Sequence, residues 1–287
     1  GPAPALLGGD GTDWDLRWSR TVAFGNLAAQ HGDWLDAWLR EEPDNGPAAL
    51  VRAESLVVAA WQVRTSRRAA RVSQEQWEGF HRLLLLAQEA ALDAVRLAPA
   101  EDPNPWVVQV SIAMGLNWSN EAFHRLWAEI VDRDPTHWRA YHRALQYWCA
   151  KWHGSHELMY AFADRAIGAA APGSLLTTLR MSAYWEHTLS GDLPISARRG
   201  PEYRAALEAL DADLAAAPTD HNRLREARGW LAYGLVRSGQ AGQALPHFHG
   251  LGRAIPEPWT NYGRPAGMFA RARRTALRAA ATAKAAV

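Results

Sequence analysis

The sequence predicts an all-α fold. Apolar residues recur every three or four positions through most of its 287 residues, which is the spacing of one face of a helix. No segment combines strict alternation of apolar and polar residues with hairpin turns, so strands are not expected. Hydrophobic residues make up 48% of the chain and charged residues 21%, a composition that favours a buried core and excludes intrinsic disorder.

The first well-marked helix start is a capping box. Ser73 and Gln76 have the spacing at which two side chains satisfy the first backbone N–H groups, and this predicts a long helix to about Leu97. A second helix is predicted over residues 121–131, where apolar side chains follow one another at i, i+3, i+4, i+7 and i+8.

Later helix starts are marked by short polar residues or by proline. Asp134 and Pro135 are predicted to be the N-cap and the first-turn proline of one helix. Ser155 and Ser174 are predicted to cap the next two helices. Pro246 falls inside a further predicted helix, and we expect it to kink that helix because proline lacks an N–H donor.

Prolines divide the chain at steps of 32, 37, 46 and 38 residues, which is the period of two-helix repeats. Residues 227–245 also resemble a tetratricopeptide (TPR) helix pair, with a short Ser-Gly turn, whereas residues 191–201 are predicted to form a long loop. The sequence therefore predicts a degenerate TPR-like α-solenoid of antiparallel helix pairs. The prolines that set these steps are Pro103, Pro135, Pro172, Pro218 and Pro256.

One helical-repeat domain is predicted over residues 14–287. It is expected to be irregular over residues 14–102, to carry TPR-like repeats over residues 103–255, and to end in a capping helix over residues 265–285. Residues 1–13 are expected to be disordered or tag-derived, because Gly-Pro at the start resembles the remnant of a cleaved tag.

Composition narrows the classes of function. The formal net charge of +1 argues against a nucleic-acid binder, and no apolar run is long enough to cross a bilayer. No leader pattern follows the first residues, so a cytoplasmic location is expected. All basic residues except Lys151 and Lys284 are arginine, a bias typical of GC-rich genomes such as those of actinobacteria.

A set of short motifs lies between Trp34 and about Leu214. They are Trp34-Leu-x-x-Trp-Leu with Pro43, Ala60-Trp61-x-x-Arg64, Trp77-x-x-Phe80, Lys151-Trp152-x-Gly154-Ser155, Phe162-Ala163 and Pro172-Gly173-Ser174. These motifs resemble those of a bacterial family of TPR-like helical-repeat proteins of uncharacterised function. The resemblance implies an all-α repeat fold without implying any reaction, and the family has glycine where this chain has Thr65.

The Lys-Trp-x-Gly-Ser motif gives the candidate ligand-binding residues. One interpretation is a pocket for an anion or a carboxylate, or a clamp for a peptide carboxy terminus, because lysine is a compact charge and a helix start offers free N–H groups. The other is a turn between repeats, with glycine ending one helix, serine capping the next, and the lysine lying over a tryptophan or pairing with a buried carboxylate. The candidate residues are Lys151, Trp152, Gly154, Ser155, Trp61 and Arg64.

No sequence motif identifies catalytic residues or a cofactor. The chain lacks phosphate-binding glycine loops and nucleophile elbows, so the catalytic residues stay unknown and no cofactor is expected. Cys149 lies on an apolar stretch and is predicted to be a small core residue. Histidines near it lack the spacing of a metal site, and none is expected. These histidines are His137, His142, His153 and His156.

Fifteen tryptophans are more than a core of this size needs. Most are expected to be buried between helices, whereas Trp14, Trp18, Trp118 and Trp259 are expected to be harder to bury. The arginines near the carboxy end and in the segment after Arg64 are predicted to form a solvated face. They are Arg264, Arg271, Arg273, Arg274 and Arg278, with Arg67, Arg68 and Arg71.

These features favour a scaffold that binds a protein or a peptide through a concave surface lined with tryptophan and arginine, the residue types enriched at interaction hot spots. The partner is expected to be neither nucleic acid nor membrane. The alternative is an enzyme or a small-ligand receptor with an anion-binding pocket around Lys151.

Overall fold

The computed structural model describes residues 13–64 and 73–285, with side chains up to residue 282. Within these residues every regular element is helical, with thirteen α-helices and three short 3-10 helices, which confirms the all-α class. The described residues divide into two compact units, the first ending at Tyr147 and the second beginning at Trp148. The predicted terminus up to residue 12, together with Thr65, Arg67, Arg68 and Arg71, lies outside the described residues.

The first unit is arranged around one central helix, α3. This helix packs against α1, α2, α4 and α5, and its buried positions are mainly alanine, valine and leucine, which let neighbouring helices approach closely. The helices of this unit are α1 (Trp14–Gln30), α2 (Asp33–Glu41), α3 (Gly46–Arg64), α4 (Gln74–Leu97), α5 (Asn104–Gly115), α6 (Asn120–Arg133) and α7 (Trp138–Tyr147).

The second unit has its central helix at α11, which contacts α9, α10, α12 and α13. Its α-helices are α8 (His156–Ala169), α9 (Thr178–Ser190), α10 (Pro201–Ala216), α11 (Leu224–Ser238), α12 (Leu245–Leu251) and α13 (Pro265–Ala285). Short 3-10 helices cover Ile195–Arg199, Ala241–Ala244 and Trp259–Asn261. The prediction of a single domain over residues 14–287 stays a prediction.

Helices α8 and α9 pack in antiparallel directions. His156 in the first turn of α8 stacks on His187 near the end of α9, with ring centroids 3.8 Å apart. Farther along, the guanidinium of Arg180 lies over the ring of Tyr160 at 4.6 Å and pairs with Asp164 at 2.5 Å. Residues early in one helix thus contact residues late in the other, and the connection between the helices is short.

Two helix starts follow the sequence pattern closely. The Ser73 hydroxyl accepts a hydrogen bond from the Gln76 N–H at 3.2 Å, and the Gln76 side chain accepts one from the Ser73 N–H at 3.0 Å. This confirms the capping box and the helix to Leu97. Ser155 is the predicted N-cap of α8, since its hydroxyl accepts from the Leu158 N–H at 3.2 Å.

Two other predicted helix starts are wrong by a few residues. Asp134 accepts from the Thr136 N–H at 2.9 Å and forms a turn, so α7 begins only at Trp138. Ser174 precedes Leu175, whose φ of 62° is left-handed and incompatible with a helix, and α9 begins at Thr178.

The predictions for Pro246 and for residues 191–201 also need correction. Pro246 does not kink a continuous helix, because a 3-10 segment ends before it and the proline lies in the first turn of α12. The stretch 191–201 is not wholly loop, since Ile195–Arg199 forms a 3-10 helix and Pro201 opens α10.

The start of α7 is held by a buried histidine. The His137 side chain is fully buried, its Nδ1 accepts from the Ala140 N–H at 3.2 Å, and its Nε2 lies 3.0 Å from the Asn104 side-chain oxygen. Since Nδ1 accepts, Nε2 carries the proton and donates to Asn104. Asn104 in turn donates to the Trp14 carbonyl at 3.2 Å, so the network joins α1, α5 and α7.

A buried ion pair joins α3 to α7. The carboxylate of Glu54 is 1% exposed and accepts two hydrogen bonds from the Arg143 guanidinium, at 2.7 and 3.3 Å. The same guanidinium lies 4.6 Å from the ring of Trp18. Both oxygens of the carboxylate are therefore satisfied, as a buried charge requires.

Replacing Glu54 should destabilise the first unit. Glu54→Gln keeps the side-chain volume but removes the charge that pairs with Arg143, and we expect a loss of about 2 kcal/mol in the free energy of unfolding, measured by urea titration. The matched control is Glu121→Gln, whose exposed pair with Arg125 should contribute less than about 0.5 kcal/mol. If both variants lose the same free energy of unfolding, burial does not make the Glu54–Arg143 pair more important for stability than the exposed pair.

Candidate functional site

The Lys-Trp-x-Gly-Ser motif forms the tight turn that leads into α8. The Cys149 carbonyl accepts from the Trp152 N–H at 2.9 Å and from the Gly154 N–H at 3.3 Å. A Cβ added at Gly154 would lie 1.9 Å from the Trp148 carbonyl oxygen, so only glycine fits. With Ser155 capping α8, both the glycine and the serine of the motif have structural roles.

The ammonium of Lys151 pairs with Glu186 on α9. The distance from Nζ to Oε2 is 2.7 Å, and the carboxylate-bearing side chain is 11% exposed whereas the lysine is half exposed. Of the two surroundings expected for this lysine, a tryptophan ring or a carboxylate, the structure shows the carboxylate. The positive charge of this turn is thus already compensated within the second unit.

Cys149 is a core residue, as predicted. Its side chain is 3% exposed, and its Sγ lies 3.4 Å from the Met159 sulfur. Burial, together with the nearby Glu186 carboxylate, raises the pKa of this thiol to about 12. The thiol is therefore protonated at neutral pH and does not have the thiolate character of a nucleophile.

Trp61 and Arg64, the other two candidate residues, lie in the first unit. The Arg64 guanidinium lies over the rings of Trp61 at 5.3 Å, Trp77 at 5.4 Å and Phe80 at 5.9 Å. Burial lowers the pKa of this guanidinium. The two residues contact each other at the end of α3, where the charge of Arg64 is stabilised by three aromatic faces.

A second cluster of polar side chains surrounds the stacked histidines. His156 Nε2 lies 3.3 Å from the Asp192 carboxylate and 3.3 Å from the Ser190 hydroxyl, while His187 Nδ1 lies 3.2 Å from the Tyr160 hydroxyl. The Ser190 hydroxyl and the Asp192 carboxylate both contact the same nitrogen of His156, Nε2. A Ser-His-Asp triad needs the serine on one ring nitrogen and the aspartate on the other, so this arrangement is not a triad. No group of three or more metal-ligating side chains occurs anywhere in the part of the chain that the structure describes.

Sequence reasoning identified only His156 of this cluster. His187 and Asp192 are more than 30 positions farther along the chain and meet His156 because α8 and α9 are antiparallel. The sequence does carry a signal for this cluster. His156 and Tyr160 are four residues apart on one helix, and Tyr184 and His187 are three apart on the next, so each pair lies on one helix face.

The expectation that certain tryptophans are hard to bury is wrong for three of the four. The exposed fraction is 9% at Trp14, 0% at Trp18 and 3% at Trp259, and Trp118 is half-buried. Trp259 follows a proline-rich segment without helical spacing, yet Tyr233, Phe248 and Phe269 surround its ring with centroids 5.3 to 6.1 Å away.

Near Trp259 the second unit has a cleft of about 220 Å³. We name it the aromatic–arginine cleft, and it is formed by Tyr233, Arg237, Trp259, Tyr262 and Arg271. It is bordered by α11, the 3-10 helix at Trp259–Asn261 and the first turns of α13. Trp259 and Arg271 were singled out in the sequence, but Tyr233 and Arg237 were not. These two residues are four positions apart and therefore lie on the same face of α11.

Hydrogen bonds order the polar side of the aromatic–arginine cleft. Arg237 donates from Nε to the Tyr233 hydroxyl and from Nη2 to the Tyr262 hydroxyl, each at 3.2 Å, and the two hydroxyls are also 3.2 Å apart. Burial and the hydrogen bond with Tyr262 raise the pKa of Tyr233 to about 12. Tyr233 is therefore protonated at neutral pH.

A second cleft, of about 240 Å³, lies between α8, α10 and the turn at Pro172. Its one carboxylate, Asp213, accepts from the Gly173 N–H at 2.5 Å and from the Thr177 hydroxyl at 2.7 Å. The rest of the lining is mostly alanine, proline and isoleucine. Because its charged group is used to hold the turn, this cleft offers fewer recognition groups than the aromatic–arginine cleft.

Comparison with known protein families, with curated proteins and with solved structures gives no match to this chain. The resemblance to a helical-repeat family therefore stays a prediction. Among the described helices, none has the length and the apolar character that a membrane span requires.

Gly154 should be intolerant of a side chain. We expect Gly154→Ala to lower the free energy of unfolding by more than about 2 kcal/mol, because the backbone carbonyl of Trp148 occupies the Cβ position. Gly168 is the control, since a Cβ there meets nothing within 4 Å and Gly168→Ala should stabilise α8 by up to about 1 kcal/mol. A stable Gly154→Ala variant would refute the structural role of this glycine.

Acid should weaken the second unit through His187. Burial, with the adjacent His156, lowers the pKa of His187 below its ordinary value of 6.5, whereas Asp192 and Glu157 oppose this shift. The unfolded chain therefore takes up a proton first as pH falls through about 6.5, and stability is lost on acidification. We expect the decrease in Tm between pH 7.5 and 5.5 to be smaller for His187→Gln than for wild type.

The control for this experiment is His249→Gln, at an exposed position on α12. Its Tm should fall on acidification by as much as that of the wild type. If His187→Gln also behaves like the wild type, His187 is not a source of the pH dependence.

Proposed function

We propose that this chain is a helical interaction module, built of TPR-like antiparallel helix pairs, that binds a protein or peptide partner through tryptophan and arginine side chains. The observation that carries the proposal is the aromatic–arginine cleft, where three aromatic rings and two arginines surround one small opening. Trp, Tyr and Arg are the residue types that contribute most binding energy at protein interfaces.

The size of the cleft favours a partner's side chain over a cofactor. The volume of the cleft is about 220 Å³, whereas pockets for small molecules and cofactors have volumes of roughly 300 to 1,000 Å³. A space of this size holds one large side chain of a partner together with one polar group beside that side chain. The module then binds by anchoring one or two residues of a partner, with the rest of the contact lying outside the cleft.

The antiparallel packing of α8 and α9 supports the repeat architecture within this proposal. Helices of 13 to 16 residues follow one another from α8 to α11, and α11 contacts both α9 and α10. Helices of this length in consecutive pairs are typical of TPR-like solenoids. We propose further that the module acts in the cytoplasm, where neither nucleic acid nor membrane is its partner.

The alternative, an enzyme or receptor with an anion pocket at Lys151, has less support. The Lys151 ammonium pairs with Glu186 at 2.7 Å, and the neighbouring Gly154 and Ser155 form the turn and the cap. An anion would have to displace a carboxylate that is already in place.

Peptide display tests the proposal. A library of random peptides is selected on the immobilised full chain and on the Arg237→Ala/Arg271→Ala variant. We expect the wild type to enrich peptides with a shared motif and the variant to lose that enrichment by at least about tenfold, because each arginine supplies a charged hydrogen bond.

The matched control is the Arg204→Ala/Arg225→Ala variant, which removes two exposed arginines from α10 and α11 of the same unit. It should enrich the same peptides as the wild type. Enrichment of no peptide, or of the same peptides by all three proteins, would show that the cleft is not the binding site.

A further inference from the structure

The hydroxyl groups of the aromatic–arginine cleft have one proton more than their contacts use. The hydroxyls of Tyr233 and Tyr262 are 3.2 Å apart, so one of them donates to the other. Both oxygens also accept from Arg237, which has no acceptor to offer in return. The second phenol proton therefore has no acceptor among the described residues. A ligand oxygen that enters the cleft can accept this proton.

The cleft also has a surplus of positive charge. Arg237 and Arg271 both line it and are exposed, and neither forms an ion pair with any carboxylate in the described part of the chain. The hydrogen bonds of Arg237 are made to two phenol hydroxyls and not to a carboxylate. The group that completes this site is thus an anion with oxygen acceptors.

The walls of the cleft distinguish between anions. Besides the rings of Tyr233, Trp259 and Tyr262, the thioether side chain of Met268 lines the opening. Apolar walls solvate a dianion such as phosphate poorly, because its larger hydration free energy must be given up on entry. A singly charged carboxylate loses less, and its planar pair of oxygens matches a guanidinium edge.

We infer that the aromatic–arginine cleft recognises a carboxylate that is attached next to a large apolar group, and that a partner peptide presents it. That a peptide presents the carboxylate rests on the proposed function. That the ligand is a carboxylate beside an apolar group is argued from the lining of the cleft alone. The carboxylate accepts from the unused phenol proton and from Arg237 and Arg271, while the apolar group packs between Tyr262 and Met268, which are the partly exposed apolar side chains of the lining.

NMR on the full chain tests this assignment directly. With only seven tyrosines in the sequence, ring-labelled protein gives a spectrum in which Tyr233 and Tyr262 are identified by their phenylalanine variants. The probes are 3-phenylpropanoate and its neutral partner, 3-phenylpropanamide. We expect the carboxylate to shift both tyrosine signals with a Kd at least about tenfold lower than that of the amide, since it adds a charged hydrogen bond.

Variants separate the cleft from nonspecific charge. Arg237→Gln and Arg271→Gln should each weaken 3-phenylpropanoate binding by about tenfold or more, and Arg204→Gln on α10 should leave it unchanged. Tyr262→Phe keeps the ring but removes a hydroxyl, so a folded protein with weaker binding supports the phenol contact. Equal affinity for the acid and the amide, or no shift at millimolar probe, would overturn the assignment.

Two peptides identify the source of the carboxylate. N-acetyl-Gly-Phe presents it at a carboxy terminus, and N-acetyl-Glu-Phe-amide presents it on a side chain. Competition by either peptide against 3-phenylpropanoate supports a peptide ligand. If the small acid binds and neither peptide competes, the carboxylate site stands but the proposed peptide-binding function is wrong. If displayed peptides without a carboxylate still depend on Arg237 and Arg271, the function stands and the carboxylate assignment is wrong.

Discussion

Aromatic rings fill the space between neighbouring helices, and their edge-to-face packing sets the distance at which those helices lie. In the second unit the ring of Trp185 on α9 packs against Trp230 and Tyr233 on α11, at 6.3 and 5.4 Å between centroids. Tyr233 also contacts Trp259, which contacts Phe269 on α13. This chain of rings joins three helices that are distant in sequence, and it contributes both buried area and a preferred geometry.

The same packing explains why the exposure of individual tryptophans was difficult to predict. Helical spacing shows which side of a helix is apolar, but a residue outside a helix has no such pattern. Trp259 stands in a proline-rich segment, and its burial depends on Phe248 and Phe269, which belong to helices on either side of it in the chain. Trp18 contacts the guanidinium of Arg143, which lies 125 positions farther along the chain.

Features that depend on neighbours in sequence were predictable, whereas features that depend on distant partners were not. The caps at Ser73 and Ser155 involve groups three residues away, and they follow from the local pattern. That Lys151 pairs with a carboxylate could be expected, since a half-buried lysine is stabilised by one, but Glu186 is 35 residues away and no spacing identifies it. The aromatic–arginine cleft combines side chains from several elements, so its existence follows only from their packing.

Helix α13 has two faces with different roles. Phe269, Ala272 and Ala276 are buried in the second unit, while Met268 and Arg271 border the aromatic–arginine cleft. A molecule in the cleft therefore touches both α11 and the last helix of the described chain. Its binding free energy adds to the packing energy that holds this helix in place. Binding of a molecule in the cleft and packing of α13 would thus be thermodynamically linked, and truncation of α13 removes a wall of the cleft along with part of the core.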